Sequence, residues 1–144
     1  MTNTPFPSKP SNLFAIPPVV LVVDDSSDTL NQLCESIAAS GCIAIPVRNA
    51  EEALKSLEFS TPDAVLLDAT SPEIKGFELG RRIKSMPIWE HIPILFMVEL
   101  ANTAQIIASF ENGGVDYIPK PLRITEVITR LLTRIVIQIY AKHE

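Results

Sequence analysis

The sequence predicts a single α/β domain, a doubly wound five-stranded parallel sheet with helices on both faces. Two observations carry this. Short apolar runs recur as VVLVV (19–23), CIAIPV (42–47), AVLLD (64–68), ILFMV (94–98) and VDYI (115–118). After each run comes a stretch with helical spacing, too long for a hairpin and long enough for a crossover. Strand–helix–strand units of this kind close right-handed with parallel strands, and near-continuous apolar strands imply cover on both faces.

In chain order, residues 1–17 hold Pro5, Pro7, Pro10 and Pro17 among Ser, Thr and Asn, a composition that cannot pack. They are expected to form a flexible tail, with Phe14 and Ile16 lying on a domain that spans 18–144. The first strand, 19–23, runs into Asp24 and Asp25, and a helix is expected over Asp28–Ser40. Asp25, Ser26, Ser27 and Asp28 can all cap it, and Asp28 is read as doing so. Gly41 supplies the left-handed residue that ends this helix. Pro46 marks the second strand as an edge strand or marks its end, because proline cannot donate to a ladder. A helix over Ala50–Glu58 leads to the third strand, which ends on Asp68, and another follows over Phe77–Met86. Pro93 opens the fourth strand, which ends in Val98–Glu99, and a helix over Thr103–Asn112 closes on NGG (112–114). After the fifth strand, Lys120 lies between Pro119 and Pro121, where two fixed φ angles make a rigid turn. In the last helix, Ile124–Ala141, the stripe Ile124, Val127, Ile128, Leu131 and Ile135 suffices to cover the sheet. A second set, Leu132, Val136, Ile139 and Tyr140, widens the apolar surface. It reads either as a well-buried helix end or as a contact surface for a dimer partner or a following domain.

A net charge of −5 and a pI near 5.0 offer no electrostatic reason for direct nucleic-acid binding. Cys34 and Cys42 have no metal-ligand spacing and read as small buried hydrophobes in a reducing compartment. No apolar run has the length of a membrane span, and the N-terminus lacks the basic start and apolar core of a signal peptide. A cytoplasmic location away from membranes is expected.

Function in an open parallel sheet collects at the carboxyl ends of its strands. There the sequence places Asp24 and Asp25 after strand one, Asp68 at the end of strand three and Lys120 after strand five. Three carboxylates converging on one edge repel unless a cation joins them. Magnesium suits such an oxygen cluster, needing few protein ligands and retaining places for water and phosphate.

These residues resemble the receiver domain of two-component response regulators. The likeness runs from Val19 to about Tyr140 and rests on Asp24–Asp25, LLDATSPEIKGFEL (66–79) and GGVDYIPKPL (113–122). It implies a flavodoxin-like fold with strand order 2-1-3-4-5. It implies that Asp68 accepts a phosphoryl group from the phosphohistidine of a histidine kinase or a phosphotransfer protein. It implies that Asp25, Asp68 and the Thr70 backbone carbonyl ligate Mg²⁺, that Asp24 acts through metal-bound water, and that Lys120 pairs with Asp68 and then with the phosphoryl oxygens. Pro72 and Gly76 shape the loop after strand three. Such a domain is not an enzyme beyond its own phosphorylation and dephosphorylation. Its partners include a second copy or an output domain, met through the last helix and the face of the fourth helix, fifth strand and fifth helix.

One position departs from the family. Strand four of a receiver normally ends in Thr or Ser, whose hydroxyl bonds the phosphoryl oxygen; here Val98 keeps the shape and deletes the donor. Glu99 follows where a small residue is usual, and Tyr117 matches the aromatic residue that swings inward in the family's switch. A phosphorylation-independent interaction module therefore stands as the alternative. A flavin-binding protein of the same fold would carry hydroxyl and glycine donors where this chain has DDSSD, and an aspartyl-phosphate phosphatase would space its acids differently.

Overall fold

The computed structural model of the chain describes residues 14–142. Its elements are β1 (Val19–Val23), α1 (Ser27–Ala39), β2 (Ile43–Val47), α2 (Ala50–Phe59), β3 (Ala64–Asp68), α3 (Gly76–Ser85), β4 (Ile94–Glu99), α4 (Thr103–Glu111), β5 (Asp116–Lys120) and α5 (Ile124–Lys142). The strands form one sheet in the order β2-β1-β3-β4-β5, and every pairing is parallel. The predicted fold class and strand order are those observed.

Alternation along the strands explains why they read as unbroken apolar runs. Successive side chains point to opposite faces, and both faces are covered. Val20 and Val22 join Leu66, Met97 and Ile118 against α1 (Leu33, Ile37) and α5 (Val127, Leu131, Ile135). Leu21 and Val23 join Val65, Leu67 and Phe96 against α2 (Ala53, Leu57) and α3 (Leu79, Ile83). The two prolines inside strands sit in β2 and β5, the sheet's edges, where a missing N–H costs no ladder bond. Gly41 and Gly113 take φ of 96° and 90°, the left-handed turns expected of them.

Several local expectations are corrected. The N-cap of α1 is Ser26, whose hydroxyl accepts from the Thr29 amide at 3.3 Å, and Asp28 lies exposed in the first turn beside the positive end of the helix dipole. Lys120 belongs to the last position of β5 rather than to a turn, and its bond to Pro121 is cis. Residues 1–13 of the expected tail lie outside the described residues; Phe14 packs on the α1–α5 core, while Ile16 is exposed. Cys42 is buried and Cys34 half-buried, and burial pushes both thiols up, away from reactivity. In α5 the primary stripe is buried at Val127, Leu131 and Ile135. Leu132, Val136 and Ile139 are half-buried, leaving Ile137 and Tyr140 exposed. Among the described residues no helix is long and apolar enough to cross a membrane.

Candidate functional site

Chain reversal between β1 and β3 sets the site. From β1 the chain crosses to β2 on one side and next returns to β3 on the other, so the crevice at their carboxyl ends is open. Asp24 follows β1 directly and Asp68 is the last residue of the neighbouring strand β3. Their oxygens and one from Asp25 all lie within 4.8 Å of one another.

The three acids differ in what they touch. Asp68 is 1% exposed, and its Oδ1 takes three donors: the Thr70 amide at 2.9 Å, the Thr70 hydroxyl at 2.7 Å and Lys120 Nζ at 3.1 Å. Asp24 is equally buried; its Oδ1 accepts from the Ser26 amide at 2.9 Å. Asp24 Oδ2 has no hydrogen-bond partner and lies 3.9 Å from Lys120 Nζ. Burial pushes the Asp24 carboxyl above its usual range, with Asp68 and Asp25 adding to the rise; the Ser26 amide and Lys120 oppose it. Asp25 is exposed, and its Oδ2 accepts from the Ser71 hydroxyl at 2.8 Å while its carbonyl accepts from Arg48 Nη2 at 3.2 Å.

Lys120 reaches this group from β5, across the end of β4. Its ammonium also donates to the Thr70 hydroxyl at 3.0 Å. The β3–α3 loop is held against Asp68 by close packing. A Cβ on Gly76 would lie 2.3 Å from the Asp68 carbonyl oxygen and 2.9 Å from Ala69 Cα, so only glycine fits. Lys75, just before it, takes a left-handed φ of 53°.

The charge and donor set fit a hard divalent cation. Three carboxylates face one ammonium, and a buried carboxylate oxygen lacks any hydrogen bond. Of the sequence candidates, Asp24, Asp25, Asp68, Thr70 and Lys120 are brought together. Val98 is fully buried on β4, one residue beyond the Met97 that pairs with Asp68. Glu99 is exposed and outside the acidic cluster; its amide donates to Gln105 Oε1 at 2.7 Å. Tyr117 stands apart on the α4–β5–α5 side. Its ring lies 5.3 Å from the Arg130 guanidinium carbon and 6.1 Å, edge-on, from the Phe110 ring. Arg130 also donates to the Asp116 carboxylate at 3.1 Å and the Tyr117 carbonyl at 2.7 Å.

Three contacts were missed from the sequence: the Thr70 hydroxyl, the Ser71 hydroxyl and Arg48. The first had a signal, since a Ser or Thr two residues past an Asp in a loop commonly bonds locally, whereas Ser71 reaches an Asp25 that is 46 residues away. Arg48 had none, because its contact to Asp25 depends on the packing of β2 beside β1.

The chain is similar to known proteins in sequence and in fold. The sequence matches the response regulator receiver domain family over residues 20–132. It is 33% identical over 120 residues to the protein RcaC of Microchaete diplosiphon, which is 83% of this chain and 18% of that one. It is 35% identical over 109 residues to an uncharacterised 14.6 kDa protein of Leptolyngbya boryana, 76% of this chain and 83% of that one. The chain thus spans less than a fifth of RcaC but most of the smaller relative. Among solved structures, it matches the signal receiver domain of a signal transduction histidine kinase from Syntrophus aciditrophicus. That match has a TM-score of 0.76 at 27% identity, over 83% of this chain and 90% of that one. Over these residues the chain belongs to the response regulator receiver domain family.

Proposed function

We propose that the chain works in a two-component phosphorelay, accepting a phosphoryl group on Asp68 from a histidine kinase or a phosphotransfer protein in a Mg²⁺-dependent reaction. The observation that carries this reading is the setting of Asp68. It is a buried carboxylate at the open crevice, 3.1 Å from an ammonium and within 4.8 Å of two further carboxylates. Asp25, Asp68 and the Thr70 carbonyl are the residues to hold Mg²⁺ directly, with Asp24 acting through its water. When bound, the ion neutralises phosphoryl charge and orients the group for in-line attack.

The protein's own residues do the rest. An Asp68 carboxylate oxygen forms the bond to phosphorus as the donor's phosphorus–nitrogen bond breaks. The electron pair stays on the imidazole nitrogen, which takes up a proton from solvent. Lys120 is fixed beside the acceptor and offsets charge on the phosphoryl oxygens without reorganising. Asp24 and Asp25 keep the crevice too negative for phosphate until a cation enters, which makes transfer depend on metal.

On the far side of β4, Val98 offers no donor to draw the β4–α4 loop toward a phosphoryl group, and Arg130 and Phe110 hold the Tyr117 ring. Coupling from the site to the α4–β5–α5 face is therefore weakened. The reaction is tested by incubating the protein with Mg²⁺ and acetyl phosphate and measuring intact mass. A labile phosphoryl adduct on the wild type, absent with EDTA and absent in Asp68→Asn, supports the reading. No adduct from any donor favours the phosphorylation-independent module.

A further inference from the structure

Among the described residues, two side chains donate to the Asp68 carboxylate: Lys120 and Thr70. The second is a neutral hydroxyl placed with unusual economy. It lies 2.7 Å from Asp68 Oδ1 and 3.0 Å from Lys120 Nζ. A hydroxyl has one proton and two lone pairs, whereas an ammonium only donates. Lys120 therefore occupies a lone pair of Thr70, and the Thr70 proton is directed at the carboxylate. The same ammonium polarises that hydroxyl and makes it a stronger donor. Across the site Val98, fully buried at the end of β4, provides no polar atom.

We infer that the Thr70 hydroxyl is a working part of the phosphoryl site, donating to a phosphoryl oxygen as the group arrives on Asp68 and supplying from the β3–α3 loop the neutral donor that β4 lacks. The inference rests on the reading of Asp68 as the phospho-acceptor. As the bond from an Asp68 oxygen to phosphorus forms, the donor's bond to phosphorus breaks and its electron pair leaves with the donor, as acetate when acetyl phosphate is used. The carboxylate charge is spent in that bond, and the strongest acceptors nearby become the phosphoryl oxygens. Thr70 keeps its proton and redirects its hydrogen bond to one of them, while Lys120 stays in place beside the group.

A hydroxyl that only shapes the loop would not respond to a second hydroxyl introduced across the site, and this separates the two roles. The test measures the rate of adduct formation with Mg²⁺ and acetyl phosphate by intact mass, in wild type, Thr70→Val, Thr70→Ser, Val98→Thr and the double variant Thr70→Val/Val98→Thr. Melting curves on the same samples confirm folding. Thr70→Val is expected to react about tenfold more slowly, the loss of one hydrogen bond to a charged group. Thr70→Ser restores the rate. Val98→Thr changes the wild-type rate by no more than about twofold, yet recovers most of the loss in the double variant, a non-additive result. Thr70→Val reacting at the wild-type rate, or Val98→Thr acting by the same factor in both backgrounds, overturns the inference while leaving Asp68 as acceptor. A wild type that forms no adduct overturns the acceptor reading, and the inference with it.

Discussion

At the β1–β3 side of the sheet's carboxyl edge, polar groups are tied across long stretches of chain. Ser71 bonds Asp25, Lys120 bonds Thr70 and Asp68, and Arg48 bonds the Asp25 carbonyl. At the β4–α4 side most ties are local, although the Leu100 amide also donates to the Lys120 carbonyl at 3.2 Å. Glu99 bonds Gln105, Asn102 caps Gln105, and the Asn102 amide returns to the Glu99 carbonyl at 3.2 Å. There the chain also exposes Leu100, Ile107 and Phe110, and Ala101 takes a left-handed φ of 65°. A site tied by side chains from several distant elements opens only when the sheet does, whereas a loop held mostly by its own residues opens more readily. The molecule thus keeps its acidic pocket over-determined and its β4–α4 loop more loosely held.

The largest break in this contrast is expected from Gly76→Ala. A methyl group 2.3 Å from the Asp68 carbonyl oxygen must push α3 or the end of β3 away. Urea unfolding should show a loss of about 2–3 kcal/mol, where a comparable change in the β4–α4 loop costs little.

Next comes Asp24→Asn. The Asp24 carboxyl is raised by burial, so in the window between its ordinary and raised values the folded state binds the extra proton and stability falls as pH rises. In metal-free buffer at neutral pH the asparagine variant should be the more stable by about 1 kcal/mol, having no buried charge to carry. Its stability should also vary less between acid and neutral pH. Adding Mg²⁺ should raise the melting temperature of the wild type more than that of the variant, which keeps the direct ligands, and EDTA should reverse both gains.

A smaller effect is expected beside Tyr117. Arg130→Ala removes a partly exposed ion pair to Asp116, a bond to the Tyr117 carbonyl and a guanidinium stacked on the Tyr117 ring. About 0.5 kcal/mol of stability should be lost. The near-UV circular dichroism of the tyrosines should change, with adduct formation at Asp68 unaffected.

The fold was legible because the burial rule is simple: five runs apolar on both faces, separated by crossover-length segments, allow few arrangements. Asp24, Asp25, Asp68 and Lys120 were legible for a related reason, since strand ends in such a sheet converge wherever the loops go. What escaped depends on loop conformation. The choice of Ser26 over Asp28 as cap turns on a single residue's backbone angles. The Thr70 and Ser71 contacts depend on a loop shaped by the left-handed Lys75 and by Gly76 packed on Asp68. Lys120 was placed in a turn because two prolines flank it, yet an edge strand tolerates proline and β5 is an edge. Glu99 is next to the site in sequence but is exposed, because β4 ends there, beyond the cover on either face.

On the proposed reading, phosphoryl chemistry at Asp68 is retained while the route through β4 to α4 and β5 is muted. That reading is tested most directly by comparing backbone amide NMR spectra before and after Mg²⁺-dependent phosphorylation. Large shifts are expected at residues 24–26, 68–71 and 120, with small ones at Phe110, Tyr117 and the 98–103 loop, and larger ones at these last positions in Val98→Thr. Shifts at Tyr117 and the loop as large in the wild type as in Val98→Thr would contradict it.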